Sequence, residues 1–210
     1  MSGPTSSKNY RAERWVALRR GLGLVAVLCG GLAFGQADFR VGERLAAPTA
    51  KATGEGVPEI EWQALMPAEW NPQKALAGVD LASLSDNDPR ANALLDRLRR
   101  DLDRAPVVKA LDGRRVRIAG FVVTLERDDK GVSEFLLVPY FGACIHTPPP
   151  PANQIVHVLP KKPVPADVAI FPVYVTGTLK TVAAVTPEGA AGYRIADGEV
   201  EEYPWRRQRR

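Results

Sequence analysis

The 210-residue chain holds only two histidines and two cysteines, and three of those four residues lie between Cys144 and His157. Cys144, His146 and His157 are a thiol and two imidazoles, borderline-soft donors suited to zinc or copper. In an extended chain residues two apart face the same way, so Cys144 and His146 would project together. Pro148 to Pro151 fix φ and donate no hydrogen bonds, making a stiff polyproline-type spacer. That spacer runs through Asn153-Gln154 into a strand bearing His157, so the chain could fold back and gather the three donors. Three N/S ligands leave a tetrahedral position to water, a carboxylate or a partner, which suits an open, exchangeable site. The spacing matches no standard zinc motif.

Other chemistries fit the same residues. Cys144 could be a small buried apolar residue and His157 a core histidine with its bonds satisfied. Cys144 could also be a nucleophile with His146 or His157 as its base, although only Gly142-Ala143 precedes it and no oxyanion or phosphate loop accompanies it. The third reading is a non-enzymatic protein-binding module whose Pro-rich loop docks a partner, with Tyr140 and Phe141 as anchors. No Gly-rich nucleotide loop, Ser-His-Asp set or paired carboxylate site stands out.

The N-terminal residues bear on where such a site would work. Arg11 to Arg20 forms a positive region, Gly21 to Gly35 (GLGLVAVLCGGLAFG) is apolar and uncharged, and Gly35-Gln36-Ala37 supplies small residues for a signal peptidase. The expectation is a signal peptide over 1–37 and a periplasmic mature chain. An uncleaved inner-membrane anchor is the rival; it would embed Arg19 and Arg20 at a cost of about 2.5–3.5 kcal/mol each. A lipoprotein reading through Cys29 is opposed by bulky Leu28, and the residues after Arg19-Arg20 fit a twin-arginine signal poorly. Cleavage removes Cys29, leaving Cys144 without an internal disulfide partner in an oxidising compartment.

Cleavage also removes the net charge of +4. Of 28 basic and 24 acidic residues, five and one respectively fall within residues 1–37, so a chain beginning at Asp38 is neutral. Arg206, Arg207, Arg209 and Arg210 remain as a basic tail over 206–210, read as a solvated terminus. Basic residues are nowhere interleaved with aromatics in a stripe, so nucleic acid is not an expected partner. The membrane is expected to be met only through the N-terminal segment.

The elements that must position the site follow. Residues 38–57, rich in Ala, Gly, Pro and Thr without periodicity, read as a flexible linker. A single β-rich domain is expected over 58–205, with Trp62 and Trp70 as packing anchors. Asp88-Pro89 is a helix start, and Ala91, Leu94, Leu95, Leu98 and Leu102 follow at helical spacing until Pro106. Arg115 to Ile118 alternates, Gly120 interrupts, and Phe121 to Leu125 continues. Further strands are expected over Glu134 to Tyr140, Ile155 to Leu159, around Val173 to Leu179, and over Gly192 to Ile195 and Glu199 to Tyr203. Mid-strand Gly120 and Gly177 suggest bulges or barrel corners. Together these predict a mainly β (α+β) domain with one or two helices, a small partly open barrel of the oligonucleotide/oligosaccharide-binding (OB) type, with a β-sandwich as the alternative.

Three stretches carry a family resemblance: Val116-Arg117-Ile118-Ala119-Gly120-Phe121-Val122-Val123, the run FGACIHTPPPPANQ from Phe141 to Gln154, and Val175-Thr176-Gly177-Thr178-Leu179. Through them most of residues 57–205 resembles a family of bacterial exported proteins known mainly as a domain of unknown function. The resemblance implies a periplasmic protein often encoded near ABC-type transporter components suspected of metal uptake. A membrane transporter component is therefore the implied partner.

Overall fold

The two strands expected on either side of Gly120 form one strand of 14 residues, β1 (Arg115–Asp128), in the computed structural model of the chain. Residues 39–45, 56–71, 89–144 and 149–204 are described. The expected signal peptide over 1–37, most of the linker, His146 and the tail over 206–210 lie outside them. Up to Gly120, β1 pairs antiparallel with β4 (Val173–Lys180); from Phe121 onward it pairs with β2 (Gly131–Val138). A Cβ at Gly120 would fall 2.8 Å from the Val138 carbonyl oxygen and 2.9 Å from the Trp62 ring. Only glycine lets the strand turn from one neighbour to the other at this corner.

The remaining wall strands are β3 (Val156–Pro160) and β7 (Tyr193–Glu202). The order β1-β2-β3-β7-β4 closes into a barrel, with β3 parallel to β7 and β7 antiparallel to β4. The OB-type reading holds, with one correction: the barrel is closed, not partly open. Closure follows from length, since β7 is one ten-residue strand, long enough to pair with β3 and β4, where the sequence suggested two short ones. At Gly177 the register shifts, and a side chain there would collide with Ile195.

Val116, Ile118, Phe135, Leu137, Val156, Val158, Val175, Tyr193 and Ile195 fill the barrel, while Phe121, Leu136, Val138 and Ile155 form a second buried cluster with Ala143 and Ala191. β2 and β3 are thus buried on both faces, which explains their nearly unbroken apolar sequence. A 3₁₀ turn, Trp62–Leu65, plugs the core: Leu65 is fully buried, and its carbonyl accepts the Tyr193 hydroxyl hydrogen at 2.8 Å. The Trp62 indole donates to the Ala119 carbonyl at 2.7 Å, so this tryptophan anchors packing as expected.

Helix α1 (Pro89–Asp103) forms where the spacing predicts it. Its Ala91, Leu94, Leu98 and Leu102 are only half-buried and Leu95 is 55% exposed, so the stripe is less covered than core packing would require. Helix α2 (Ala166–Ala169) is a single turn between β3 and β4. The hairpin β5 (Ala184–Thr186) and β6 (Gly189–Ala191), between β4 and β7, was not among the expected strands.

Residues 39–45 depart from the free-tether expectation. Gly42 N–H donates to the Phe141 carbonyl at 2.8 Å, and Phe141 N–H donates to the Glu43 carbonyl at 3.0 Å. Phe39 meets Phe121 edge-on, with centroids 5.2 Å apart, and lies 5.9 Å from Phe141. Aromatic burial and a short ladder dock this stretch on the outer face. Most of the linker is undescribed, and the tether reading concerns only that part.

Candidate metal and thiol site

His157 sits on β3 between inward-facing Val156 and Val158, so its ring lies on the outer wall. It pairs across strands with Leu136 and Arg194, which share that face. Its Nε2 lies 2.6 Å from Glu134 Oε1, and Arg194 Nε–H donates to its Nδ1 at 3.2 Å. The pattern fits the tautomer in which Nε2–H donates to the carboxylate and Nδ1 accepts from arginine. Both ring nitrogens are thereby engaged, and the side chain is almost wholly buried. To bind a metal, the ring would have to give up one of these bonds.

Cys144 occupies the turn after β2 and is not in a disulfide. Its φ of 65° lies in the left-handed region. The argument that placed Cys144 and His146 on one side required extended backbone, and this kink removes that premise. The residue is half-buried, packed against the outer cluster with Tyr140, Phe141 and Ala184. Burial, and then the Glu188 carboxylate, push its thiol up to about 11. His146 lies outside the described residues, so its place beside Cys144 is not given.

The carboxylate whose charge acts on the thiol, Glu188, lies in the β5–β6 turn. Glu188 Oε2 is buried and has no hydrogen-bond partner among the described residues. The hairpin is held over the motif at several points: Ala184 and Ala191 join the cluster that contains Cys144, and a side chain at Gly189 would begin 3.3 Å from Pro149. Sequence reasoning missed Glu188, although the Pro187-Glu188-Gly189 turn between two short runs of Ala and Val was a hairpin signal. It also missed Glu134 and Arg194, for which no local pattern exists. Among the described residues, no group of three or more His, Cys, Asp or Glu side chains is arranged to hold a metal ion.

The rest of the proline motif works as structure. Ala152, Asn153 and Gln154 are buried. Gln154 Nε2 donates to the Trp62 carbonyl at 2.7 Å, and Asn153 Nδ2 donates to the Pro106 carbonyl at 2.9 Å. The motif thus ties the plug and the end of the α1 connection to the barrel. Tyr140 and Phe141, expected as docking anchors, have partners within the chain: the Arg44 guanidinium lies 5.4 Å over the Tyr140 ring, and Phe141 packs on Phe39 and Phe121.

A closed OB-type barrel with an unbridged thiol, Cys144, packed on its outer cluster is the class of protein defined here. The chain belongs to the DUF3299 family, described as proteins of unknown function, which matches residues 62–202. The crystal structure of a DUF3299 family protein from Pseudomonas aeruginosa PAO1 is similar, with a TM-score of 0.56 at 42% sequence identity, over 70% of this chain and 96% of that one. No curated protein matches the chain.

Proposed function

We propose that this chain is a periplasmic metal-handling protein that binds zinc or cuprous copper through Cys144 and His146 and passes it to a membrane transporter component. The observation that carries the reading is the setting of the thiol: Cys144 is unbridged and half-buried, and the charge acting on it is a carboxylate. Such surroundings attract a cation. They also oppose the thiol-enzyme reading, because a thiol near 11 is ionised in only about one molecule in 10⁴ at pH 7. A bound metal would deprotonate the sulfur outright. His157 would join only if Arg194 released Nδ1, with Glu134 then orienting the ring through Nε2, as carboxylates do for metal-bound imidazoles. Periplasmic location rests on residues 1–37, and the transporter partner on the family resemblance.

Elemental analysis of the protein purified from the periplasm without chelators tests this directly. The expected result is close to one zinc or copper per chain, lost in Cys144→Ser. Wild-type protein that carries no metal and takes up none on titration would overturn the proposal.

A further inference from the structure

We propose that residues 39–45 are a displaceable strap, filling in cis a peptide-docking seat built from Phe121 on β1 and from Tyr140 and Phe141 in the turn after β2. The partner that takes the strap's place is an extended segment of another protein carrying an aromatic side chain. The strap arrives already shaped. Glu43 N–H donates to the Arg40 carbonyl at 2.8 Å, and Arg40 N–H donates to the Glu43 carboxylate at 2.9 Å. Gly42 stands at the corner with a φ of 85°, where a Cβ would meet nothing within 4 Å. Glycine is therefore needed for the turn and not for space.

The seat offers both kinds of recognition that an extended peptide uses. Phe141 presents its backbone on both sides: its carbonyl accepts from Gly42 N–H at 2.8 Å, and its N–H donates to the Glu43 carbonyl at 3.0 Å. Arg44 and Tyr140 form an isolated antiparallel bridge, with the guanidinium 5.4 Å over the ring. Phe39 is the side-chain anchor, its ring centroid 5.2 Å from that of Phe121 and 5.9 Å from that of Phe141. Main-chain bonds joined to a side-chain pocket are how an exposed backbone edge captures a peptide.

Seat and strap differ in what holds them. Phe121 belongs to the wall of a barrel that closes through β1, β2, β3, β7 and β4 without the strap. In the strap, Phe39, Glu43 and Leu45 are half-buried, and Arg40, Val41, Gly42 and Arg44 are exposed. A segment with so much exposed backbone opens before a barrel wall does. Opening would uncover Phe121, Tyr140 and Phe141 together, an aromatic patch of the kind that marks a protein-binding surface.

Hydrogen exchange of the full chain, wild type against Gly42→Pro, tests the strap. Proline cannot adopt the positive φ and has no N–H for the Phe141 carbonyl. Exchange at the Phe141 amide should rise at least about tenfold in the variant, while the amides of β2 and β3 keep their wild-type protection. A synthetic peptide of residues 39–45 should then bind the variant and restore protection at Phe141. It should bind wild type at least about tenfold more weakly, because the chain's own strap fills the seat. The same peptide carrying Phe39→Ala should restore nothing. Unchanged exchange at Phe141 in Gly42→Pro would overturn the proposal, since the strap would not be the cover. Protection lost throughout the barrel would also overturn it, making the strap part of the core. A peptide that fails to restore protection, or that binds both proteins equally, would remove the seat. None of these outcomes depends on metal content, so this proposal and the metal-handling reading stand or fall separately.

Discussion

The His157 end and the Cys144 end of this outer face are built from similar residue types and differ in what bonding capacity they leave unused. At His157 the ring has a carboxylate on one nitrogen and a guanidinium on the other. At Cys144 the thiol feels the Glu188 carboxylate, whose Oε2 has no hydrogen-bond partner among the described residues. A satisfied polar network fixes structure, whereas donors left over are free to take a ligand. Burial alone does not separate the two ends, since both the His157 ring and the Glu188 oxygen are withdrawn from water.

The wall beneath both ends sets the scale of what the fold can tolerate. Gly177→Val should cost about 1–3 kcal/mol, at the upper end of that range, because the new side chain meets Ile195 inside a filled barrel. Gly120→Val should cost about 1–3 kcal/mol, because the new side chain meets Leu137, the Val138 carbonyl and Trp62. Urea midpoints report both, and values equal to wild type would contradict a closed barrel whose strands approach at these positions.

The two ends should then separate in stability. His157→Ala strips partners from Glu134 and Arg194 and should cost about 1–3 kcal/mol. Cys144→Ala, which removes a half-buried sulfur that is in no disulfide, should stay within about 0.5–1 kcal/mol. If the order is reversed in the metal-free protein, the contrast between a structural end and a ligand-ready end fails. Thiol chemistry sharpens the same contrast. With its thiol pushed up to about 11, Cys144 should react with iodoacetamide slowly at pH 7, and about tenfold faster for each unit of pH up to about 10. A rate already at its plateau near pH 8 would mean an activated thiol and would revive the nucleophile reading.

Much of the fold was legible because it rests on local rules. Alternation in Arg115 to Ile118, the apolar run of β2, the Asp-Pro start of α1 and the two mid-strand glycines all act through near neighbours. Closure was not legible, because it depends on β7 remaining continuous through a register shift between Ala196 and Gly198. The site was half legible. Cys144 stood out by rarity, but its left-handed backbone conformation and its packing against the outer cluster have no local sequence signal. Glu188 reaches it only through a hairpin of two three-residue strands, too short to give a period. His157 misled because rarity in a sequence says nothing about whether the ring's bonds are already taken.

Glu59 offers the mildest and most discriminating test of what an unpaired carboxylate oxygen means. Like Glu188, it has a buried oxygen without a hydrogen-bond partner, Oε1. Its neighbours differ: the carboxylate accepts a hydrogen bond from Tyr174, and Arg117 lies close by with its guanidinium stacked 3.9 Å over the Tyr174 ring. Burial outweighs both aids and raises the Glu59 carboxyl above its ordinary value. An acid raised in the folded state contributes stability that is fully present below the unfolded pKa and is lost as pH rises through the folded one. Glu59→Gln retains an acceptor for Tyr174 and removes this dependence. Measured against wild type, the variant should therefore gain stability between pH 4 and pH 7, a shift small enough to need melting curves at several pH values. Added zinc should not move that difference, because Tyr174 and Arg117 already surround Glu59 and Arg117 opposes a cation. A zinc-dependent stabilisation lost in Glu59→Gln would place the metal at Glu59 and overturn the Cys144 reading.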